Sequence, residues 1–119
     1  MPTEADFSIL IADEHVQTVD SLSFFLEGIG FKTVKAYDAE ETIAVCKNEH
    51  PDVAIVHLSM PGFDASGFIK MFPNQNVLFM HAYDGDETIA KKRANVLGLM
   101  RKPIDNDELL DLLKKTLKI

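Results

Sequence analysis

The residues of this chain that could act together in chemistry are histidines and acids that follow three separate apolar runs. Asp13, Glu14 and His15 come directly after the first run. His57 ends the second run, and His81 lies near the end of the third. Imidazole nitrogens and carboxylate oxygens together suit borderline metals such as Zn²⁺, Ni²⁺ and Cu²⁺, whereas Mg²⁺ prefers oxygen ligands alone. The residue types therefore indicate a candidate transition-metal site, provided that the fold brings these side chains together.

Short apolar runs that alternate with amphipathic stretches predict the elements that must position these side chains. Five strands are predicted, at residues 7–12, 31–37, 53–56, 76–82 and 97–101. Five helices are predicted, from residue 16 to the glycines at 28–30, from a cap at Asp38, over residues 64–72 and 86–94, and from about residue 105 onward. This alternation over short connections predicts an α/β fold with a doubly wound parallel sheet and helices on both faces.

The spacing favours the flavodoxin-like strand order 2-1-3-4-5, in which the winding of the chain reverses between strands 1 and 3. Sheets of this kind bind ligands in the crevice outside the carboxyl ends of the strands at that point. Asp13 and Glu14 follow strand 1 and His57 follows strand 3, so the sequence predicts that all three line the crevice. His50 precedes strand 3 and is predicted at the opposite edge of the sheet.

Composition limits the classes of function. The 119 residues suit a single domain over residues 1–119, and the net charge of −7 argues against nucleic-acid binding by this domain alone. The single cysteine, Cys46, excludes an internal disulfide, predicts a reducing compartment and is expected to be a buried, inert thiol. No apolar run approaches the ~18 residues of a membrane span, and the acidic start is unlike a signal peptide. A cytoplasmic protein with no membrane partner is therefore expected.

The segment from residue 51 to residue 62 carries a specific motif. Its sequence, PDVAIVHLSMPG, resembles the pattern Pro-Asp-x-x-x-x-Asp-x-x-Met-Pro-Gly of receiver domains, the phosphoacceptor modules of bacterial two-component signalling. In that family the second Asp takes the phosphoryl group, and here that position is His57. The resemblance implies that Asp13 and Glu14 correspond to the acidic pair that holds Mg²⁺.

Further segments extend the resemblance along the chain. The loop at residues 58–62 and Gly67 resemble the segment after the phosphoacceptor, and residues 82–84 resemble the start of the loop after strand 4. Lys102 and Pro103 resemble the family's Lys-Pro pair, whose lysine contacts the phosphoryl group and whose peptide bond is cis. The resemblance thus implies the receiver fold and a role in bacterial signal transduction.

Three positions depart from the family pattern. His57 replaces the phosphoacceptor Asp, His81 replaces the Ser or Thr that reaches for the phosphoryl group, and Leu99 replaces the aromatic switch residue. Loss of one hard anionic ligand predicts weak or absent Mg²⁺ binding. Without contacts that differ between two states, a ligand cannot shift their populations. The three departures together predict that the phosphorylation switch has been dismantled.

The sequence therefore favours a phosphorylation-independent interaction module. The resemblance implies that a signalling protein or a second copy docks on the face formed by the fourth predicted helix, strand 5 and the last helix, which carries the basic run at residues 91–93. An enzyme is not expected, since the chain has no Gly-rich dinucleotide fingerprint and no set of nucleophile, base and acid. Asp13 and Glu14 would also repel the phosphate of FMN.

Three alternatives concern the histidines. His57 could itself accept a phosphoryl group, with Lys102 meeting its charge. The pocket could bind a metal or respond to pH through Asp13, Glu14 and His57 together with His15 and His81. The simplest alternative is that His57 pairs with Asp13 or Glu14, while His15 and His81 remain in solvent.

Overall fold

The computed structural model describes residues 1–82 and 94–119. The strands are β1 (Ser8–Ala12), β2 (Lys32–Ala36), β3 (Val53–His57), β4 (Val77–His81) and β5 (Val96–Arg101). The helices are α1 (Val16–Ile29), α2 (Ala39–Glu49), α3 (Ala65–Met71) and the C-terminal helix α4 (Asn106–Leu117). A single 3-10 turn over Glu4–Asp6 precedes β1. The fourth predicted helix falls on residues 83–93, which lie outside the described part of the chain, so α4 corresponds to the fifth predicted helix.

The five strands form one parallel sheet in the order β2-β1-β3-β4-β5, which confirms the predicted fold. The described strands and α-helices lie within two residues of the bounds that were predicted for them, whereas the 3-10 turn was not predicted. β3 lies at the centre and all five of its residues are buried. β2 lies at an edge of the sheet, and its lysines, Lys32 and Lys35, are exposed.

Helices cover both faces of the sheet because side chains alternate along each strand. On one face Ile55 packs with buried residues of α1 and α4, among them Leu26 and Leu113. On the other face Val56 packs with residues of α2 and α3, among them Phe68. Full burial of side chains of this size stabilises the fold by about 1.5–3 kcal/mol each. The central strand is therefore fixed from both sides, and its last residue is held with it.

Local signals set the ends of several helices. The Asp38 carboxylate accepts a 2.7 Å hydrogen bond from the backbone N–H of Glu41, so Asp38 caps α2 as predicted. Asp105 caps α4 in the same way, with a 3.0 Å bond from the backbone of Glu108. α1 ends at Gly30, whose φ of 124° favours glycine.

Cys46 packs on the inner face of α2 and is 1% exposed. Burial raises the pKa of its thiol to about 12, so the thiolate does not form near neutral pH. This agrees with the predicted inert thiol. Among the described helices, none has the length and the apolar character that crossing a membrane requires.

Candidate functional site

The candidate site lies at the carboxyl edge of the sheet, where β1, β3 and β5 end. Ala12 of β1 pairs with Val56 of β3, so the residues that follow them in the chain emerge side by side. β1 is followed by Asp13, and β3 ends at His57. Lys102 follows β5 and reaches back across the sheet to Asp13. The parallel topology thus brings together residues that are far apart in the sequence.

His57 is almost completely buried, with 4% of its surface exposed. Its Nδ1 lies 2.6 Å from Oε1 of Glu14 and 3.6 Å from Oδ1 of Asp13. Because a carboxylate only accepts hydrogen bonds, Nδ1 carries the ring proton and donates a hydrogen bond to Oε1 of Glu14. Nε2 of His57 is buried and has no hydrogen-bond partner among the described residues. A buried polar atom left in this way costs about 1–3 kcal/mol.

Asp13 is fully buried and uses both of its carboxylate oxygens. Oδ1 accepts a 2.9 Å hydrogen bond from the backbone N–H of His15, and Oδ2 accepts a 2.7 Å bond from Nζ of Lys102. Burial acts to raise the pKa of Asp13, but the hydrogen bonds from Lys102 and His15 outweigh it and lower that pKa to about 2. Asp13 is therefore an anion at all ordinary pH values.

The His15 side chain is 60% exposed, but it is not free in solvent. Its Nδ1 lies 2.9 Å from Oδ1 of Asp13 and 3.2 Å from Nζ of Lys102. These two contacts need opposite roles for the same nitrogen, as donor to the carboxylate and as acceptor from the ammonium. The same nitrogen meets only one of these roles at a time, and Lys102 keeps its 2.7 Å bond to Asp13 in either case.

The structure brings together four of the five residues that the sequence predicted as metal ligands. Donor atoms of Asp13, Glu14, His15 and His57 all lie within 4.8 Å of one another. His81 is outside this group, so the predicted five-residue cluster is corrected to four. His57 pairs with Met80 across the sheet, and alternation of side chains places His81 on the opposite face, that of Phe79.

The other predicted site residues have structural roles. The backbone carbonyl of His81 accepts a 2.7 Å hydrogen bond from the backbone N–H of Lys102, which anchors the start of the loop after β5. The bond between Lys102 and Pro103 is cis, as the resemblance implied. Leu99 is partly buried and packs against the core on the α2 and α3 face. Tyr83, Asp84 and the basic run at 91–93 lie outside the described residues.

Sequence reasoning missed the ion pair between Lys102 and Asp13, because it assigned Lys102 to an incoming phosphoryl group. The two residues are 89 positions apart, and no local pattern links them. The available signal was the strand order, which puts the residues after β1 and β5 at the same edge, together with the length of a lysine side chain. The alternative in which His15 remains in solvent is confirmed only in part, since its side chain is 60% exposed but its ring also contacts Asp13 and Lys102.

The residues at this edge do not fit the Mg²⁺ that the resemblance implies for the family. Mg²⁺ requires near-octahedral oxygen ligands. Here Oδ2 of Asp13 is bonded to Lys102, Glu14 is bonded to His57, and position 57 supplies nitrogen instead of oxygen. The donor set is therefore mixed nitrogen and oxygen.

Several known proteins are similar to this chain in sequence and in fold. Sporulation initiation phosphotransferase F of Bacillus subtilis is 28% identical over 116 residues, covering 93% of this chain and 94% of that protein. Response regulator GtcR of Aneurinibacillus migulanus is 32% identical over 68 residues. That match spans only 28% of GtcR, so this chain is much shorter than some of the curated relatives that it matches.

Solved structures superpose over almost the whole chain. A CheY-like receiver domain protein from Methanospirillum hungatei aligns with a TM-score of 0.84 and 24% identity, covering 94% of both chains. A chain of the CheX-CheY complex with BeF₃ and Mg²⁺ from Borrelia burgdorferi aligns with a TM-score of 0.77 and 26% identity, covering 93% of this chain and 89% of that one. Residues 9–114 match the family described as the response regulator receiver domain. The match covers most of the chain, and the strand order and the cis Lys-Pro bond agree with it. This chain therefore belongs to the response regulator receiver domain family of two-component signalling.

Proposed function

We propose that this receiver domain transmits its signal by binding another protein and does not use phosphorylation of an aspartate. The observation that carries the proposal is the state of position 57. The residue there is a buried histidine whose Nδ1 is bonded to Glu14 at 2.6 Å, and not a carboxylate exposed to a phosphoryl donor.

Phosphoryl transfer to this site is opposed by position and by charge. The Nδ1 of His57 is engaged with Glu14, and Nε2, the remaining nitrogen, is buried. An in-line attack depends on placement of the reacting atom to within about 1 Å. With neutral imidazoles, Asp13, Glu14 and Lys102 sum to one negative charge, and Lys102 is bonded to Asp13 instead of facing an incoming phosphate. The cation that would meet the charge of a phosphoryl group is therefore already engaged.

The residues that would report phosphorylation are also replaced. His81 stands where the family has a hydroxyl, so an imidazole takes the place of the group that would hold the phosphoryl oxygens. Leu99 stands at the aromatic switch position and packs, partly buried, against the core. A phosphoryl group at position 57 would thus find no hydroxyl to hold and no ring to move, so it would have no means of shifting a conformational equilibrium.

The proposed partner surface is the face that includes β5 and α4. A groove of about 340 Å³ lies between these two elements, lined by apolar residues of β5 and by charged residues of α4 such as Asp111 and Lys115. An apolar floor with a charged rim is typical of transient protein interfaces. The likeness to a chain of a CheX-CheY complex supports a signalling protein as the partner, with a second copy of this chain as the other occupant.

The experiment that tests the proposal is intact-mass spectrometry after incubation with acetyl phosphate or phosphoramidate and Mg²⁺. The wild-type chain is expected to gain no adduct, whereas His57→Asp is expected to gain about 80 Da, the mass of one phosphoryl group. If the wild-type chain gains an adduct and His57→Gln does not, His57 accepts the phosphoryl group and the proposal is overturned.

The matched control is His50→Asn, which removes an exposed histidine from the opposite end of β3. Phosphoramidate can modify exposed histidines, so a wild-type adduct that is lost in His50→Asn and kept in His57→Gln would arise outside the site. His50 has a φ of 48°, a conformation that Asn tolerates, so the control is expected to fold normally.

A further inference from the structure

Four donor atoms at the carboxyl edge form a closed ring in which nitrogen and oxygen alternate. Oδ1 of Asp13 lies 2.9 Å from Nδ1 of His15 and 3.6 Å from Nδ1 of His57. Oε1 of Glu14 lies 3.7 Å from the same nitrogen of His15 and 2.6 Å from that of His57. Each nitrogen therefore has two oxygens as neighbours, and each oxygen has two nitrogens.

The size of this ring matches the coordination shell of a small cation. Four ligands placed tetrahedrally at roughly 2.0–2.1 Å from Zn²⁺ lie about 3.3–3.4 Å from one another. The four sides of the ring, 2.6 to 3.7 Å, fall on both sides of that value. Displacements of about half an ångström, within the reach of side-chain rotation, would equalise the four sides around a central ion.

We infer that Asp13, Glu14, His15 and His57 form a binding site for a divalent cation of borderline softness, such as Zn²⁺. The inference goes beyond the proposed function, because metal binding and partner binding without phosphorylation can each hold without the other.

The charges and protons at the site favour a cation. The two carboxylates and the ammonium of Lys102 leave one net negative charge at the site, which attracts a divalent cation. Coordination through Nδ1 of His57 moves the ring proton to Nε2. That nitrogen has no described partner with or without the proton, so the change loses no hydrogen bond there. The hydrogen bond from Nδ1 to Glu14 is replaced by two bonds to the same ion.

Lys102 does not occupy the ring. Its Nζ bonds to Oδ2 of Asp13, whereas the ring uses Oδ1, so Lys102 orients the carboxylate from outside. Its 3.2 Å contact with Nδ1 of His15 competes with the metal and is released on binding. Since Lys102 is 15% exposed, its ammonium can move toward water while it retains the bond to Asp13.

The mixed donor set separates this site from an Mg²⁺ site. Two imidazole nitrogens with two carboxylate oxygens suit Zn²⁺, Ni²⁺ or Cu²⁺, and only oxygen ligands suit Mg²⁺. The site is therefore expected to discriminate between Zn²⁺ and Mg²⁺ in favour of Zn²⁺.

The test is calorimetric titration of the folded chain, free of any polyhistidine tag, with Zn²⁺ and separately with Mg²⁺. Native mass spectrometry gives the stoichiometry, and thermal unfolding measures the stabilisation. The expected result is one Zn²⁺ per chain with micromolar or tighter affinity, a melting temperature higher by several degrees, and no such effect of Mg²⁺ at the same concentration.

Variants locate the ion. His15→Asn changes an exposed side chain, so it should fold normally, and it is expected to weaken Zn²⁺ binding by about tenfold or more. His57→Gln is expected to weaken it at least as much, and the control His50→Asn should bind as the wild type does. The inference fails if Zn²⁺ binds only at millimolar concentration, if Mg²⁺ binds equally well, or if His15→Asn and His57→Gln both retain wild-type affinity. Because this readout is metal binding, its failure leaves the phosphorylation result untouched.

Discussion

The two ends of β3 use polar residues in opposite ways. At the amino end, Asp52 accepts a 2.8 Å hydrogen bond from the backbone N–H of Ser8. The side-chain amide of Gln75 donates to the carbonyls of Pro51 and Asn76, at 2.8 and 3.0 Å. Each of these side chains forms hydrogen bonds with backbone groups of neighbouring segments. The polar residues at the amino end therefore hold these segments together.

At the carboxyl end the polar side chains mainly contact one another, although Oδ1 of Asp13 also accepts a hydrogen bond from the backbone N–H of His15. Asp13, Glu14, His15 and His57 crowd together, and Nε2 of His57 is unpartnered among the described residues. Groups that remain imperfectly paired are costly in a buried place. The amino end is therefore arranged for stability, whereas the carboxyl end carries the cost of a buried nitrogen without a partner among the described residues. The following experiments test this difference in order of decreasing effect on stability.

Removing the cation that pairs with Asp13 should have the largest effect. In Lys102→Met the fully buried carboxylate loses its 2.7 Å partner, which we expect to lower the free energy of unfolding by about 3 kcal/mol. Urea unfolding measures this loss. The double variant Lys102→Met/Asp13→Asn should recover more than half of it, because the unpaired charge is gone. If the double variant were no more stable than the single one, Lys102 would act through packing and not through charge.

Acid should destabilise the wild-type protein through Asp13. The pKa of this residue is about 2 in the folded state and 3.8 as the ordinary value, so the folded state binds its proton less readily. The resulting stability is fully present above pH 4 and is lost as the pH falls from about 4 to about 2, and it amounts to about 2 kcal/mol. Unfolding curves between pH 2 and pH 5 measure it. Asp13→Asn should show a smaller slope in this range, and an unchanged slope would assign the acid effect to other carboxylates.

Replacing one polar side chain by leucine at each end of β3 compares the two ends directly. Gln75→Leu removes two hydrogen bonds to backbone carbonyls and should cost about 1–2 kcal/mol. His57→Leu removes the orphaned Nε2 and leaves Glu14, which is 29% exposed, able to reach water. We expect His57→Leu to lie within about 1 kcal/mol of the wild type, or above it. Chemical denaturation of both variants checks the order, and a larger loss in His57→Leu would reverse the comparison.

The smallest effect is expected at the exposed part of the amino end. Asp52→Ala removes one hydrogen bond to the backbone of Ser8 at a position that water reaches, so the cost should be below about 1 kcal/mol. Zn²⁺ binding should be unchanged, since Asp52 lies at the other end of the strand. A change of Zn²⁺ affinity in this variant would mean that the two ends are not independent.

Much of the fold could be predicted because its signals are local. The capping carboxylates at Asp38 and Asp105 act on backbone groups three residues away, and the apolar run of β3 requires burial on both faces. The order of the strands follows from short connections and the handedness of parallel crossovers. These features depend on a few consecutive residues, which a sequence displays directly.

The candidate site could be predicted in outline but not in its contacts. The strand order placed Asp13, Glu14 and His57 in one crevice, and the structure has them there. The sequence could not decide whether His57 contacts Asp13 or Glu14, because both lie in the crevice and their side chains can rotate. The exclusion of His81 depends on the register between β3 and β4, which sets the face of each residue and which a shift of one position would reverse.

Periodicity and chain connectivity specify the sheet, its layers of helices and the collection of acids and histidines at one edge, so these three features can be predicted from the amino-acid sequence. The pairing of those side chains depends on the folded structure. The bond from Lys102 to Asp13 joins residues 89 positions apart, and the bond from His57 to Glu14 spans 43. Contacts over such separations depend on side-chain rotamers and on competition among neighbouring charges, which exist only after the strands have been brought together.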